Sequence, residues 1–160
     1  MLSGPVGDIT YLGKGEFEVE GEKYSFDKIN LVAGGSGITP HWQLIHAILK
    51  EEDDKTQISL IDSNKSIGDI LLYKELQKYA EEHKDQFKLW MTLSAKPEEE
   101  EWKYSIGHLD EQMMREHFFM PKDGERVGTF LCGPPGLIKH GAMPALKKIG
   151  FEEGKTVFGF

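Results

Sequence analysis

Apolar and polar residues follow two different patterns along the chain, and the change between them falls near residue 28. Before it, short alternating runs separated by glycines predict three hairpin strands, at Ile9–Leu12, Phe17–Glu20 and Tyr24–Phe26. Three strands of this length cannot enclose a hydrophobic core of their own. We therefore expect residues 1–27 to form a β-hairpin and linker segment, which either covers the main domain or trails a preceding one.

From residue 28 onward, short buried strands alternate with amphipathic helices. The predicted strands are Lys28–Ala33, Gln57–Ile61, Phe87–Leu93, Val127–Leu131 and Thr156–Phe160, with a polar loop at Ser94–Gly107. The predicted helices are Pro40–Lys50, one capped by Asp69 that ends near His83, one from Asp110 to His117, and one that ends near Lys148. This alternation with short connections predicts an α/β fold, in which residues 28–160 form a parallel, doubly wound sheet.

A glycine-rich turn connects the first of these strands to the first helix. Its residues are Gly34, Gly35, Ser36, Gly37, Ile38, Thr39 and Pro40. Such turns bring backbone N–H groups and a helix amino end to a phosphate, and glycine adds no Cβ that would hold an anion away. The spacing matches neither the G-x-G-x-x-G fingerprint nor a Walker loop. The turn alone therefore leaves open a phosphate cradle and an ordinary strand-to-helix connection.

A second turn, Cys132-Gly133-Pro134-Pro135, follows the predicted strand Val127–Leu131. In parallel sheets, ligands bind beyond the carboxyl ends of the strands, near the point where the strand order reverses. The two turns are then neighbours. This placement favours the phosphate cradle, and with it a nucleotide-binding sheet.

Composition narrows the class of function. The chain has 160 residues, enough for one α/β domain, and its 39% hydrophobic and 29% charged residues are typical of soluble globular proteins. The net charge of −8 argues against nucleic acid as a partner. The sequence has neither an 18-residue apolar run nor a signal peptide, so we expect no membrane contact and a cytoplasmic location.

The sequence also argues against a metal centre and a disulfide. Cys132 is the single cysteine, which excludes an internal disulfide and a cysteine-built metal site. The six histidines show no metal-ligand spacing, so we expect no bound metal. Two acidic runs, Glu51–Asp54 and Glu98–Glu101, are interpreted as solvated turns.

Eight motifs in order resemble the pyridine-nucleotide domain of the ferredoxin-NADP reductase superfamily, within it the cytochrome b5 reductase and nitrate reductase branch. The two most specific are AGGSGITP at Ala33–Pro40 and CGPP at Cys132–Pro135. The others are GPVG…YLGKG at Gly4–Gly15, DILLYKEL at Asp69–Leu76, FKLWMTL at Phe87–Leu93, WKYSIG at Trp102–Gly107, MREH at Met114–His117 and VFGF at Val157–Phe160. WKYSIG and the compact stretch Gly21–Val32 are more similar to the assimilatory nitrate reductases of plants and algae.

The resemblance implies a function in hydride transfer. The chain would bind NADH and hold its nicotinamide against FAD in a neighbouring domain of the same parent chain. Electrons would then pass to a cytochrome b5-type haem domain and to nitrate. The family's flavin-binding pattern, Arg-x-Tyr-Ser/Thr, is absent from the sequence, so we expect a carboxyl-terminal fragment that is inactive without its FAD domain. The alternatives are a fragment of an NADH-cytochrome b5 reductase and a non-catalytic nucleotide-binding module.

The resemblance also implies roles for the two turns. The turn at Gly34–Pro40 would hold the pyrophosphate, with hydroxyl donors from Ser36 and Thr39. Cys132 would stand beside the nicotinamide as a small spacer rather than a nucleophile. The rigid turn formed by Gly133, Pro134 and Pro135 would lie against the ring. Phe160 would lie near the flavin–nicotinamide junction, with simple edge-strand packing as the alternative.

The adenosine end departs from the family pattern. Asn64 matches a residue near the adenine. Ser94 stands where NADH-using members often have a carboxylate, which removes a repulsion against a 2′-phosphate, and Lys96 could attract one. Asp62 could instead bind the ribose. We expect NADH as the cofactor, with NADPH as the alternative. The residues Gly136 and Leu137 replace the family's proline and methionine, which predicts a looser turn.

Overall fold

The computed structural model describes residues 9–97, 101–121 and 125–159, and these residues form two β-sheets with helices. The smaller sheet is antiparallel and has the order β1-β2-β3. Its strands are β1 Ile9–Gly13, β2 Glu16–Val19 and β3 Glu22–Ser25. The larger sheet is parallel and has the order β7-β6-β5-β4-β8-β9. Its strands are β4 Lys28–Gly34, β5 Gln57–Asn64, β6 Phe87–Leu93, β7 Ser105–Ile106, β8 Val127–Cys132 and β9 Val157–Gly159.

Helices cover both faces of the larger sheet, as the strand–helix alternation predicts. They are α1 Ile38–Leu49, α2 Tyr73–Glu82, α3 Glu111–His117 and α4 Met143–Ile149, and a π-helical segment at Leu137–Ala142 leads into α4. One core cluster joins alternate residues of β4 and β5 to α1 and α2, and the other joins the intervening residues to α3 and α4. The predicted parallel, doubly wound α/β fold is therefore confirmed.

The strand order reverses at β4, at the middle of the sheet. The chain runs outward from β4 through β5 and β6 to β7, and then returns to place β8 and β9 on the other side of β4. Except for Lys28, the residues of β4 are buried, which suits a central strand covered on both faces. The reversal places the ends of β4 and β8 next to each other.

The small sheet packs directly on the main domain. Phe17, Val19 and Phe26 are buried in the same cluster as Phe130 and Phe158 of the larger sheet. The ring centroids of Phe17 and Phe130 lie 4.5 Å apart. The small sheet thus shares the core of the larger one instead of building its own, as its length requires.

Several boundaries differ from the sequence prediction. Asp69 does not cap α2, because it ends a separate 3-10 turn at Ile67–Asp69 and its carboxylate accepts a hydrogen bond from Ser66 Oγ at 2.8 Å. The helix begins only at Tyr73, after Leu72 in the left-handed conformation with φ of 59°. Asp110 does cap α3, accepting a hydrogen bond from the Met113 N–H at 2.9 Å. The loop predicted at residues 94–107 contains β7.

The acidic run Glu51–Asp54 is only partly the solvated turn that its composition predicts. Its first three residues are exposed, but Asp54 is buried. The Asp54 carboxylate accepts hydrogen bonds from Tyr11 Oη, the Lys14 N–H and both the N–H and hydroxyl of Thr56. Burial, reinforced by Asp54, raises the pKa of Tyr11 to about 12. Asp54 thus attaches the small sheet to the main domain.

The substitution Asp54→Ala is expected to reduce the free energy of unfolding by about 3 kcal/mol, because it removes the acceptor of two buried hydrogen bonds from Thr56 and of two partly buried ones from Tyr11 and Lys14. Urea denaturation measures the loss. Asp53→Ala is the matched control, since Asp53 is exposed and its ion pair with Lys14 spans 3.3 Å at the surface. That change should stay within about 0.5 kcal/mol. Equal effects of the two substitutions would contradict the anchoring role of Asp54.

Candidate functional site

The two predicted turns lie side by side at the carboxyl edge of the larger sheet. Strands β4 and β8 pair in parallel, with Ala33 opposite Cys132. The first turn therefore leaves β4 beside the point where the second leaves β8. The first turn forms a single 3-10 turn at Gly35–Gly37, and α1 begins directly after it at Ile38. Pro40 lies in the first helical turn, where its missing N–H removes no helical hydrogen bond.

Close packing between the turns explains two of the glycines. A Cβ added at Gly37 would overlap the backbone carbonyl of Cys132. A Cβ at Gly34 would come within 2.6 Å of Leu137 Cδ2. A Cβ at Gly34 would displace the flexible end of the Leu137 side chain, whereas a Cβ at Gly37 would have to displace backbone. Gly37 is therefore required for packing between the turns.

Gly35 is the glycine that faces open space. Its φ of +55° lies in the left-handed region, and a Cβ built there would have no heavy atom within 4 Å. Its N–H donates to Asn64 Oδ1 at 3.3 Å, which links the turn to the end of β5. The backbone at Gly35 and Ser36 is thus the part of the turn that a ligand can approach closely.

The turns enclose a depression of about 560 Å³, which we call the inner cleft. It is lined by Gly34, Gly35, Ser36, Gly37, Thr39, Pro40, Gln43, Cys132, Gly133 and Pro134. Of the predicted residues in the two turns, Ile38 and Pro135 are not in this lining, and Ile38 is buried in the core. Gln43 was not predicted, although its position four residues after Thr39 puts it on the same face of α1.

A second depression of about 770 Å³, the outer cleft, continues from the inner one through Gly35, Ser36 and Pro134. Its other lining residues are Ser63, Asn64, Lys65, Asp69, Leu71, Ser94, His108, Leu109, Gly136, Leu137, His140 and Gly141. The predicted residues Asn64 and Ser94 are among them. His108 and His140 were missed, because each lies in a segment whose neighbours along the chain give no sign of a shared site. Lys96 is not among the lining residues.

Asp62 lies below the clefts, on β5, and does not line either of them. It is 1% exposed, and neither carboxylate oxygen has a hydrogen-bond partner of ordinary geometry among the described residues. Burial raises the pKa of Asp62 to about 7, and the nearby Asn64 amide offsets part of the rise. The ribose contact considered for Asp62 therefore has no support from its position.

Cys132 is half-buried at the end of β8, beside the first turn. Burial raises the pKa of its thiol, so the sulfur is protonated at neutral pH. A nucleophilic cysteine requires the thiolate and therefore a lowered pKa. The geometry and the protonation state suit a small spacer in the wall of the inner cleft.

His41 fixes the start of α1 against the sheet. Its ring is buried, and Nε2 donates a hydrogen bond to the carbonyl oxygen of Val32 at 2.8 Å. Burial lowers the pKa of His41 to about 4, so the ring is neutral at pH 7. The bond orients the helix whose amino end faces the inner cleft.

The described residues give no sign of a metal or of a membrane span. In residues 9–97, 101–121 and 125–159, no three His, Cys, Asp or Glu side chains are grouped so that they could hold a metal ion. No helix in those ranges is long and apolar enough to cross a membrane. Phe160, predicted near the flavin junction, and the motif at Gly4–Gly7 lie outside the described residues.

The glycine-rich turn lies where the strand order of the parallel sheet reverses, and it opens to a two-part cleft. These features define a nucleotide-binding α/β domain. Residues 31–142 match the family described as the oxidoreductase NAD-binding domain. The chain belongs to this family.

Sequence relatives extend the match over nearly the whole chain. It is 41% identical over 151 residues to the NADH nitrate reductase of Spinacia oleracea, covering 94% of this chain and 16% of the spinach protein. It is 38% identical over 162 residues to an NAD(P)H nitrate reductase of Hordeum vulgare, covering 99% of this chain and 18% of the barley protein. The chain thus spans less than a fifth of the length of these relatives.

A solved structure gives the same result. The cytochrome b5 reductase domain of Ulva prolifera nitrate reductase superposes with a TM-score of 0.90 at 36% identity, covering 98% of this chain and 57% of that one. The predicted resemblance to the nitrate reductase and cytochrome b5 reductase branch is therefore confirmed.

Proposed function

We propose that the chain binds NADH along the two clefts and holds the nicotinamide for hydride transfer to FAD on a neighbouring domain of its parent protein. The observation that supports this most is the continuity of the inner and outer clefts across Gly35 and Ser36. A dinucleotide has two halves joined by a pyrophosphate. The clefts have two halves joined by a glycine turn at the amino end of a helix.

The pyrophosphate would lie over Gly35 and Ser36. The amino end of α1 offers roughly half a positive charge to an anion, and the hydroxyls of Ser36 and Thr39 can donate to it. A Cβ position at Gly35 has no heavy atom of another described residue within 4 Å, its neighbours along the chain aside, and this open space fits a close approach of phosphate oxygens. The first turn therefore accounts for the charged centre of the ligand.

The nicotinamide would lie in the inner cleft and the adenosine in the outer one. Cys132, Gly133 and Pro134 would contact the nicotinamide ring, and Asn64 and Ser94 would contact the adenosine. Pro135 and Ile38 would act indirectly, by shaping the turns. Phe160 would lie at the junction with the flavin, and residues 28–160 would form the nucleotide-binding unit.

The chemistry that NADH supplies is a hydride, and this needs alignment of two rings rather than an acid or base from the protein. The protonated thiol of Cys132 would contact the nicotinamide ring without attacking it as a nucleophile. The proline-rich turn limits movement of that surface. The residues of this chain would bind and orient the nicotinamide ring, and they would exclude water from one side of it.

The parent protein would supply the redox partners of this domain. Its FAD domain would receive the hydride, and a cytochrome b5-type haem domain would carry single electrons towards nitrate in the cytoplasm. An NADH-cytochrome b5 reductase parent is the second candidate, because a nitrate reductase contains this domain type too: the Ulva structure is the cytochrome b5 reductase domain of a nitrate reductase. The barley relative is named for both NADH and NADPH, and NADPH is the alternative cofactor for this chain.

The isolated chain is expected to bind NADH in titration calorimetry, to contain no flavin and to reduce no ferricyanide. The substitution Ser36→Asp should weaken NADH binding at least about tenfold, because it puts a carboxylate where the pyrophosphate would lie. Thr10→Asp is the control, since Thr10 is exposed on β1 in the small sheet. Failure of NADH to bind the folded chain would contradict the proposed function.

Cys132→Ser, tested in the parent flavoprotein, should slow flavin reduction without abolishing it. A ring displaced by ~1 Å can cost on the order of a hundredfold in rate. Stopped-flow measurement across NADH concentration separates the limiting rate, which should fall, from the half-saturation value, which should change less. A limiting rate equal to wild type would remove Cys132 from ring placement, and complete loss with the fold intact would indicate a covalent role.

A further inference from the structure

We propose that Asp62 is a positioning residue for the nucleotide: its carboxyl accepts a hydrogen bond from the side-chain amide of Asn64, and that amide in turn holds the N–H of Gly35. This deepens the proposed function and rests on it, because the first turn must bind the pyrophosphate. Asp62 and Asn64 are two residues apart on β5, so their side chains lie on the same face of the sheet. Both are buried, with exposed fractions of 1% and 8%.

The side-chain amide of Asn64 has a defined orientation. Its Oδ1 accepts a hydrogen bond from the Gly35 N–H at 3.3 Å. Its Nδ2 is buried and has no hydrogen-bond partner of ordinary geometry among the described residues. An amide turned over exchanges its oxygen and nitrogen, and would then set one N–H donor against another at Gly35. The turn therefore needs a second contact to Asn64 that selects one orientation.

Asp62 offers that contact. Neither of its carboxyl oxygens has a hydrogen-bond partner of ordinary geometry among the described residues. The Asn64 amide nevertheless lies close enough to hold the pKa of Asp62 below the value that burial alone would give. A buried amide donor and a buried carboxyl acceptor each destabilise the fold when they have no partner. A hydrogen bond between them satisfies both groups and directs Oδ1 of Asn64 towards Gly35.

Gly35 is the residue through which this arrangement reaches the ligand. Strands β4 and β5 pair with Gly34 opposite Ser63, which places the start of the first turn beside the end of β5. Gly35 has a φ of +55° and no Cβ, so few steric limits fix its conformation. The bond to Asn64 restrains it where it lines both clefts. A turn released from this restraint would populate the binding conformation less, and the apparent dissociation constant rises by the reciprocal of that fraction.

Hydrogen exchange followed by NMR, together with titration calorimetry with NADH, tests the inference on the isolated chain. At about pH 6 most of the Asp62 carboxyl is protonated, so Asp62, Asp62→Asn and Asp62→Leu compare uncharged side chains of similar size. In Asp62→Leu, which has no acceptor, we expect the Gly35 amide to exchange at least about tenfold faster and NADH to bind at least about fivefold more weakly. Asp62→Asn keeps an acceptor oxygen and should change both by less than about twofold.

Ser59→Ala is the matched control. Ser59 is a buried polar residue on the other face of β5, and its hydroxyl donates to the carbonyl oxygen of His117. Its loss should reduce the free energy of unfolding but leave the Gly35 exchange rate and the NADH affinity within about twofold of wild type.

A double-mutant cycle shows whether Asp62 acts through Asn64. Asn64→Leu should also speed exchange of the Gly35 amide at least about tenfold, and adding Asp62→Leu should change the rate by less than about a further twofold. Effects that multiply would overturn the inference, since Asp62 would then act independently of Asn64. Asp62→Ala gives the same comparison if the leucine variant does not fold.

The outcomes separate the inference from the proposed function. An unchanged Gly35 exchange rate in folded Asp62→Leu would overturn the inference and leave the proposed function intact. Equal losses in Asp62→Asn and Asp62→Leu would also overturn it, because the acceptor oxygen would then have no role. Faster exchange with unchanged NADH affinity would show that Asp62 holds the turn without positioning the nucleotide. If the folded wild-type chain bound no NADH, the proposed function would fail and the positioning role with it.

Discussion

Asp62→Asn is expected to make the protein more stable than the wild type at pH 8, by on the order of 3 kcal/mol, with little change at pH 4. Asp62 is buried with no counter-charge beside it in the described part of the chain, and burial raises its pKa from an ordinary 3.8 to about 7. Asparagine has nearly the same shape and cannot ionise. The substitution therefore removes the cost of a buried negative charge at high pH.

The direction follows from proton uptake. Between about pH 4 and pH 7, the folded protein keeps a proton on Asp62 that the unfolded chain has lost. The free energy of unfolding that this carboxyl contributes is therefore complete at low pH and declines as the pH rises through that range. Above pH 7 the carboxyl is charged in both states, and the folded state bears the full cost.

His41 changes the free energy of unfolding with pH in the opposite direction. Burial lowers the pKa of His41 from 6.5 to about 4, so the unfolded chain takes up the proton first as the pH falls. Its contribution to stability is complete above pH 6.5 and is lost towards pH 4. In the wild type the two groups partly cancel, and in Asp62→Asn the His41 slope should become visible as rising stability between pH 4 and pH 6.5.

Urea denaturation at unit steps from pH 4 to pH 8 measures these differences. Asp53→Asn is the control, because Asp53 is an exposed carboxylate in the same chain. Parallel stability curves for wild type and Asp62→Asn across the whole range would show that Asp62 stays ionised in the folded protein.

The substitutions Gly37→Ala and Gly35→Ala should both weaken nucleotide binding but should differ in their effect on the free energy of unfolding, although they lie two residues apart in one turn. A Cβ at Gly37 would overlap the Cys132 carbonyl, which is backbone and cannot move aside alone. We expect a loss of about 3 kcal/mol or more in the free energy of unfolding, together with loss of nucleotide binding as the two turns separate.

A Cβ at Gly35 would lie more than 4 Å from the described residues other than its neighbours along the chain, but the φ of +55° costs an alanine about 1 kcal/mol. Here we expect a modest loss of stability and a larger loss of NADH affinity, at least about tenfold, because the methyl group enters the space given to the pyrophosphate. Thermal denaturation and titration calorimetry on both variants give the two profiles. If Gly35→Ala kept full NADH affinity, the pyrophosphate would lie elsewhere.

The sequence allowed most of the fold to be predicted, because the signals involved are local. The apolar run that forms β4, the glycines after it and Pro40 in the first helical turn each reflect preferences of neighbouring residues. The Asp110 cap is of the same kind. The prediction for Asp69 failed because a 3-10 turn and a left-handed Leu72 intervene, and neither has a strong signal in residue type.

The candidate site was predicted unevenly for the same reason. Both turns were identified from their glycines and prolines, and the parallel alternation predicted that they would be neighbours. The donors of the outer cleft were not identified as a group. Lys65, His108 and His140 come from distant parts of the chain, and only the packing of those parts brings them to one depression.

The sequence by itself determined the alternation of strands and helices, the two turns and the family, because periodicity and turn chemistry act between residues close along the chain. The tertiary structure alone decided that Asp54 and Asp62 are buried, that Gly37 is required by the Cys132 carbonyl, and which side chains surround the outer cleft. Burial and contact depend on residues far apart in sequence. Three aspartates illustrate this. The carboxylate of Asp53 is exposed, that of Asp54 is buried and accepts hydrogen bonds, and that of Asp62 is buried with no hydrogen-bond partner of ordinary geometry among the described residues.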